Sequence, residues 1–443
     1  MDYREAVSYL ESLVDYERTP AAAAAARTFN LDRMRRLLAA AGDPHRDLKC
    51  LHIAGTKGKG STAAMAASIL QAAGHRVGLY SSPHLVSFRE RLRLNGQLVS
   101  ESAVAALTEK ARPWIEALRS EKTGAPSFFE AYTLLSFLHF REQGAEIAVL
   151  ETGLGGRLDA TNVITPLACA ITRIARDHML ELGDTLAQIA REKAGIIKPG
   201  VPVVSSPQKP EALEVIRAVC QHQHAPLYIA GEPGGPKVSL LSASMTGQVC
   251  RIDGLARVYD ELALPLAGEH QLWNAAVAVA LIELVERAGF PVGEPAIREG
   301  LARVRWPGRF QVIEGSPQIV LDVAHDEASA QALVKTLRAF FPDRRLSLVF
   351  GIYRDKEAEA MAAALAPICA FAALTASRSP RAMPREKLWE RVNRFFPRCE
   401  MAESVAAALD LAKREAGRGG LVLVTGSLSV VGEAMEALGV EVV

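Results

Sequence analysis

The chain has 443 residues, 51 Lys and Arg against 50 Asp and Glu, and 49% apolar residues. Near-zero net charge gives no bulk electrostatic basis for binding nucleic acid or other polyanions, and the length exceeds what one core usually organises, so two or three domains are expected. The six cysteines are scattered without a Cys-x-x-Cys pair, which argues against a zinc site or a disulfide framework.

The N-terminal stretch is charged and amphipathic and lacks the apolar run of a signal peptide. No segment approaches the ~20 apolar residues that span a bilayer, so a cytoplasmic protein without membrane contact is expected. Residues 3–18 and 31–41 carry helical spacing, with Leu31, Met34, Leu37 and Leu38 on one side. The alanine run Ala21–Ala26 between them fits helix or loop equally. Gly42-Asp43-Pro44 stops the second helix.

Leu51, Ile53 and Ala54 then read as a buried strand that breaks into Gly55-Thr56-Lys57-Gly58-Lys59-Gly60-Ser61-Thr62. An alanine-rich helix follows to Ala73. Strand, glycine loop and helix are the context of a phosphate-binding loop: glycines let N–H groups of Gly58, Lys59, Gly60 and Ser61 converge, and the helix start adds positive potential. Lys59 supplies a full charge, and Ser61 or Thr62 a hydroxyl for Mg²⁺. The spacing Gly-x-x-Gly-Lys-Gly-Ser departs from the common pattern by the extra Gly60.

Downstream, Arg76–Tyr80 reads as a strand ending in Ser81-Ser82-Pro83-His84, and Phe88–Gly96 as strand with a turn at Asn95-Gly96. Helices are expected over 101–119 and 128–140. The apolar strand Glu146–Glu151 ends in a carboxylate, where nucleotide-hydrolysing folds place a Mg²⁺ ligand. Pro166–Thr172 is a further buried strand that delivers Asp177-His178 to the same sheet edge, where ligands gather in open parallel sheets.

A helix over 185–193, a strand over 201–205 and a helix over 211–224 follow. Short antiparallel strands are expected over 226–268. Helix 271–288 carries Asn274 on a small apolar face, where packing or capping competes with a nucleotide contact. A boundary near Pro295–Arg303 divides the chain into 1–298 and 299–443. Beyond it strand and helix alternate again over 318–322, 327–340, 346–350, 356–366, 371–375, 384–395, 403–415 and 421–425. The expected fold class is therefore α/β: a phosphate-loop, doubly wound, mostly parallel sheet domain, plus a smaller Rossmann-like C-terminal domain.

Taken together, His52–Ser61, Ser82-Pro83-His84-Leu85, Phe129-Glu130, the run Glu151–Asn162, Asp177-His178, Glu192-Lys193-Ala194-Gly195, Gly268-Glu269-His270-Gln271, Trp306-Pro307-Gly308-Arg309, Asp322–His325 and Thr425-Gly426-Ser427 resemble the folylpolyglutamate synthase/dihydrofolate synthase family. That family is a branch of the Mur-type ATP-dependent amide ligases, and the resemblance covers nearly the whole chain in order. It implies that ATP phosphorylates a carboxylate of dihydropteroate or a folyl-(poly)glutamate and that L-glutamate displaces the phosphate. It further implies that Lys59 holds the β/γ-phosphates, that Ser61 and Glu151 ligate one Mg²⁺ (or Mn²⁺), and that Ser82 and His178 ligate a second.

By the same resemblance Lys193 is carbamylated, Asn274, Arg309 and Asp322 contact adenine, phosphate and ribose, and His325 lies close by, with ATP between the domains. Ser127, Phe129 and Asp159 fall on the pterin pocket. Small-molecule partners and a monomer are expected. Two departures stand out. Lys57 replaces the usual Asn, and Val323, Asp326 and Glu327 alter the usual Asp-Gly-Ala-His-Asn-Pro run, so Lys57 and Asp326 are expected to face and neutralise one another across the cleft. The alternatives are a Mur-type ligase for another carboxylate, such as a peptidoglycan precursor, and an ATP-gated binding protein without turnover.

Overall fold

A computed structural model describes residues 1–15, 30–119, 124–342 and 344–442. The alanine run Ala21–Ala26 lies outside them. The first unit is built on an eight-stranded sheet whose central strand is β1 (Lys49–Ala54). Parallel neighbours flank it, β5 (Ile147–Glu151) on one side and β6 (Ala168–Ile171) on the other. Beyond β5 lie β2 (Val77–Tyr80), β3 (Leu92–Leu94) and β4 (Gln97–Leu98), the last two antiparallel; beyond β6 lie β7 (Val203–Ser205) and β8 (Leu227–Ile229).

Both faces of this sheet are buried, which is why its central strands read as continuous apolar runs rather than alternating ones. The pleat sends Leu51 and Ile53 into one core with the helices Lys59–Ala72 and Glu269–Arg287. It sends Cys50 into another with the helices Asp32–Ala40, Glu101–Arg119 and Phe128–Glu142. In register, Ile53 pairs with Glu151 and Ala54 with Ile171, so the loops after β1, β5 and β6 leave the sheet at one level.

The second unit is a six-stranded sheet in the order β12 (Gln311–Ile313), β13 (Gln318–Leu321), β17 (Leu421–Thr425), β14 (Leu346–Phe350), β15 (Cys369–Leu374), β16 (Cys399–Met401), parallel except for β12. A three-stranded antiparallel sheet, β9 (Lys237–Ser244), β10 (Gly247–Asp253) and β11 (Val258–Leu264), sits on the first unit beside the helix Glu269–Arg287. All six cysteines are free thiols.

Several elements differ from expectation, each for a local reason. Phe88–Arg91 is a 3₁₀ turn rather than strand, because Ser87 and Glu90 cap it reciprocally and Glu90 also accepts the N–H groups of Leu85 and Val86 at 2.8 and 2.7 Å. Leu227–Ile229 joins the main sheet as parallel β8, so the antiparallel excursion starts later, at Lys237. The helix Leu428–Leu438 and the short edge strands β12 and β16 were not expected. The position 298/299 falls inside the helix Gly293–Arg303. That helix packs on Lys59–Ala72 through Gly300, where a Cβ would lie 2.4 Å from Ile69 Cα.

Candidate active site

The loop after β1 is pinned by its backbone. The N–H groups of Thr56 and Lys57 both donate to Arg173 O, beyond the end of β6, at 3.0 Å. Gly58 then takes φ 94°, left-handed, and the helix starts at Lys59. The first bond of that helix runs from Thr62 N–H to Gly58 O, so the N–H groups of Lys59, Gly60 and Ser61 have no acceptor within the helix and face outward as an anion cradle.

The long helix Glu269–Arg287 braces this cradle from below. Gln271 Nε2 donates to Ser61 Oγ at 3.3 Å, and Asn274 Nδ2 donates to Gln271 Oε1 at 3.0 Å. A Cβ on Gly58 would meet Asn274 Oδ1 at 2.3 Å. Asn274 therefore shapes the loop, a packing role that its small apolar surroundings left open. Ser61 lines the cleft, whereas Thr62 Oγ1 is buried and without a partner, so Ser61 is the hydroxyl presented to a ligand. Gly58→Ala adds both a left-handed penalty and that collision. It is expected to weaken ADP binding about tenfold or more, measured by calorimetric titration, while Thr62→Val leaves it unchanged.

Glu151, at the end of β5, is 4% exposed and lies 3.8 Å from Lys59 Nζ. Burial pushes its carboxyl up to about 7, against the pull of Lys59 and a 3.3 Å hydrogen bond from Ser82 N–H. A buried acid that Lys59 and Arg309 offset only in part is well suited to gain a cation. Lys193 reaches the loop from the helix Leu186–Ala194 and donates from Nζ to Gly55 O at 2.8 Å. It is 5% exposed and does not line the cleft. Burial, with Lys59 nearby, pulls its ammonium down to about 7.

His178 is exposed and left-handed at φ 49°, and its ring nitrogens lie 4.0 Å from carboxylate oxygens of Asp177 and Glu181. Across the cleft, Asp322 accepts the N–H groups of Phe310 and Ala324 at 2.8 and 2.9 Å beside the desolvated guanidinium of Arg309. Lys57 and Asp326 do meet across the cleft, at 2.5 Å. His325 engages both ring nitrogens: Nδ1 lies 3.0 Å from Val323 O and Nε2 lies 2.9 Å from Lys57 Nζ. Burial, reinforced by Lys57, pulls its imidazole down to about 4. The neutral ring thus donates to Val323 O and accepts from Lys57.

The expected acceptor residues line the same cleft, yet two of them have structural tasks. Ser127 caps the helix Phe128–Glu142 in a reciprocal box with Glu130, which Arg33 Nε grips at 2.8 and 3.0 Å. Asp159 accepts the N–H groups of Gly153, Leu154 and Thr161 at 2.9, 3.0 and 3.0 Å and the Thr161 hydroxyl at 2.5 Å, tying down the glycine-rich loop after β5. Phe129 stays half-buried, its ring lying where a Cβ on Gly153 would be, at 2.6 Å.

One cleft of 2100 Å³ unites Lys59, Ser61, Ser82, Glu151 and His178 from the first unit with Arg309, Asp322 and His325. Sequence reasoning gave no individual role to Gln271, to Trp306, whose ring lies 2.8 Å from where a Gly60 Cβ would be, or to Lys356, 2.9 Å from Asp177. Lys356 follows β14, and the rule that functional groups gather beyond strand C-termini would have flagged it.

The Mur ligase middle domain family model matches residues 53–282, and the Mur ligase, glutamate ligase domain model matches 308–428. A Bacillus subtilis protein named dihydrofolate synthase/folylpolyglutamate synthase is 34% identical over 410 residues, covering 92% of this chain and 94% of its own. The fold is similar to Mycobacterium tuberculosis folylpolyglutamate synthase complexed with ADP, with a TM-score of 0.89, 32% identity, and 99% and 98% of the two chains covered. It is also similar to Escherichia coli FolC in complex with DHPP and ADP, with a TM-score of 0.85, 32% identity and the same coverage.

Proposed function

The chain belongs to the Mur ligase family, in its dihydrofolate synthase/folylpolyglutamate synthase group, and from that premise we propose that it joins L-glutamate to dihydropteroate or a folyl-(poly)glutamate at the expense of ATP. The enzyme is an ATP-dependent, amide-forming ligase. The observation that carries the placement of its chemistry is Lys59 at the mouth of the anion cradle, 3.8 Å from the buried Glu151, in a cleft that both units line.

Lys59 and the N–H groups of Gly58, Gly60 and Ser61 hold the β/γ-phosphates, and Arg309 approaches from the other side. The acceptor carboxylate and the terminal phosphate repel one another, so the barrier falls mainly through positioning and charge neutralisation. The ring system of the acceptor lies along Phe129, with Ser127 and Asp159 setting the loops beside it. Ser61 and Glu151 fit a Mg²⁺, because a hydroxyl and a buried carboxylate whose lysine stands off at 3.8 Å line the same cleft; Ser82 and His178 would hold a second. Such ions supply charge neutralisation at the transferring phosphoryl group. Lys193, with an ammonium pulled down to about 7, is in part free amine near neutral pH, the form that captures CO₂ as a carbamate.

We further place the enzyme in the cytoplasm as a monomer, divided into a nucleotide-binding unit over 1–298 and a glutamate-ligase unit over 299–443. The helix Gly293–Arg303 bridges that division while packed on the first unit. Among the described residues no helix is long and apolar enough to cross a membrane. The family's folate-named members favour a folate acceptor over a peptidoglycan precursor. ADP formation measured with dihydropteroate, tetrahydrofolate and muramyl acceptors side by side is expected to require both glutamate and a folate-type acceptor. Turnover with the muramyl acceptor alone, or none at all, would replace this assignment.

A further inference from the structure

Among the described residues, two shielded lysine–carboxylate contacts cross the cleft in opposite senses, beside an exposed third between Lys335 and Glu269. Lys57, in the phosphate loop of the first unit, reaches Asp326 Oδ2 of the second at 2.5 Å. Lys356, beyond β14 in the second unit, reaches back to Asp177 Oδ1 of the first at 2.9 Å. Asp177 also lies 3.6 Å from Lys57 Nζ through Oδ2, so the two contacts share a junction. The four side chains are 13–28% exposed, shielded enough for pairing to outweigh that of a surface ion pair.

Each end is anchored. Asp326 caps the helix Glu327–Phe340, accepting Ser329 N–H at 2.8 Å. Asp177 Oδ1 accepts the N–H of His178, the left-handed residue at the cleft wall, at 3.1 Å. The order of charge is plus–minus on the first unit, Lys57 then Asp177, and minus–plus on the second, Asp326 then Lys356. Sliding the units by one partner would bring Lys57 toward Lys356 in one direction, or Asp177 toward Asp326 in the other. Like charges then oppose the slip, so the arrangement specifies one register of closure.

We propose that this crossed pair sets how the second unit closes on the loaded phosphate loop, with Asp326 and Lys356 as positioning residues that bring Arg309 and Asp322 to the nucleotide. The proposal rests on the ligase assignment above. Neither residue is needed to touch a reacting atom; both act through the alignment of the two units.

The test uses the full-length enzyme with Asp326→Asn and Lys356→Met, singly and combined, and Lys356→Arg as the conservative control. Spin labels at the exposed positions Glu214 and Arg414 report the distance between units with AMPPCP and Mg²⁺. Each single variant, with a Tm matching wild type, is expected to broaden the closed distance. It should also lower kcat about tenfold while KM for ATP moves less than about threefold. The double variant should lose no more than the worse single, and Lys356→Arg should restore both readouts. Singles that keep the wild-type distance, whether or not kcat falls, would overturn the proposal. If the ligase assignment itself fails, wild type shows no glutamate-dependent ADP formation while the labelled distances still depend on the pair.

Discussion

An enzyme with alanine at Lys59 is expected to retain its fold and lose glutamate-dependent ADP formation by about 10²–10³-fold, the range for removing one preorganised electrostatic donor. Two effects act in the same direction. The first is loss of the charge that faces the terminal phosphates at the point where phosphoryl transfer develops negative charge. The second is indirect. Lys59 is the largest favourable charge acting on Glu151, whose carboxyl already sits at about 7. Without Lys59 the acid holds its proton more tightly and is a poorer metal ligand near neutral pH. The fall should therefore appear chiefly in kcat, with a smaller loss in ADP affinity by calorimetry, and extra Mg²⁺ or higher pH should recover part of it. A loss confined to ADP affinity, with kcat unchanged, would mean that Lys59 contributes only ground-state binding.

Lys193→Met is expected to cost about 10²-fold in kcat, in line with loss of a supporting group around a metal, and to change the pH dependence of stability. An ordinary lysine at pH 7 is free amine in roughly one molecule in three thousand. At about 7, where burial places Lys193, half of it is free amine and able to react with CO₂. Wild type incubated with bicarbonate should carry an added carboxyl group at Lys193 in native mass spectra, and the methionine variant should not. Lys193→Glu, which supplies an anion directly, should retain more activity than methionine.

The stability consequence has a definite sign. Between about 7 and 10.5 the unfolded chain holds a proton on Lys193 that the folded chain has released. More protons bound in the unfolded state means that stability rises with pH across that window. Below about 7 both states are protonated and the cost of burying the ammonium is fully present. In CO₂-free buffer, denaturant unfolding of wild type should show that rise, of the order of a few kcal/mol, and Lys193→Met should lack it. A flat wild-type profile would show that Lys193 is solvated.

Most of the first sheet was legible because its strands are short apolar runs ended by Gly, Ser or a charged group, and because covered faces demand such runs. The glycine loop declared itself through its context, a buried strand before it and an alanine-rich helix after it, and Glu151 and Asp177-His178 through their place after buried strands. Phe88–Arg91 misled because it runs directly into the strand-like alternation of Arg91-Leu92-Arg93-Leu94, while the deciding interaction, Glu90 accepting the N–H groups of Leu85, Val86 and Ser87, depends on how the chain turns at Ser87. The helix Leu428–Leu438 was hidden by its largely apolar start, which carries no periodic signal.

What the amino-acid order determined by itself is local: where strands stop, where glycine must stand, and which carboxylates and cations are delivered to the strand ends. What only the tertiary structure decided is which of those groups share space. Asn274 lies under Gly58, Lys193 reaches back to Gly55 O, and Asp177 meets lysines from two units. These contacts join residues more than a hundred positions apart, so no period or spacing encodes them. They arise from the register of buried strands and from two sheets closing on one cleft, and the burial so produced is what moves Glu151 and Lys193 toward neutral pH.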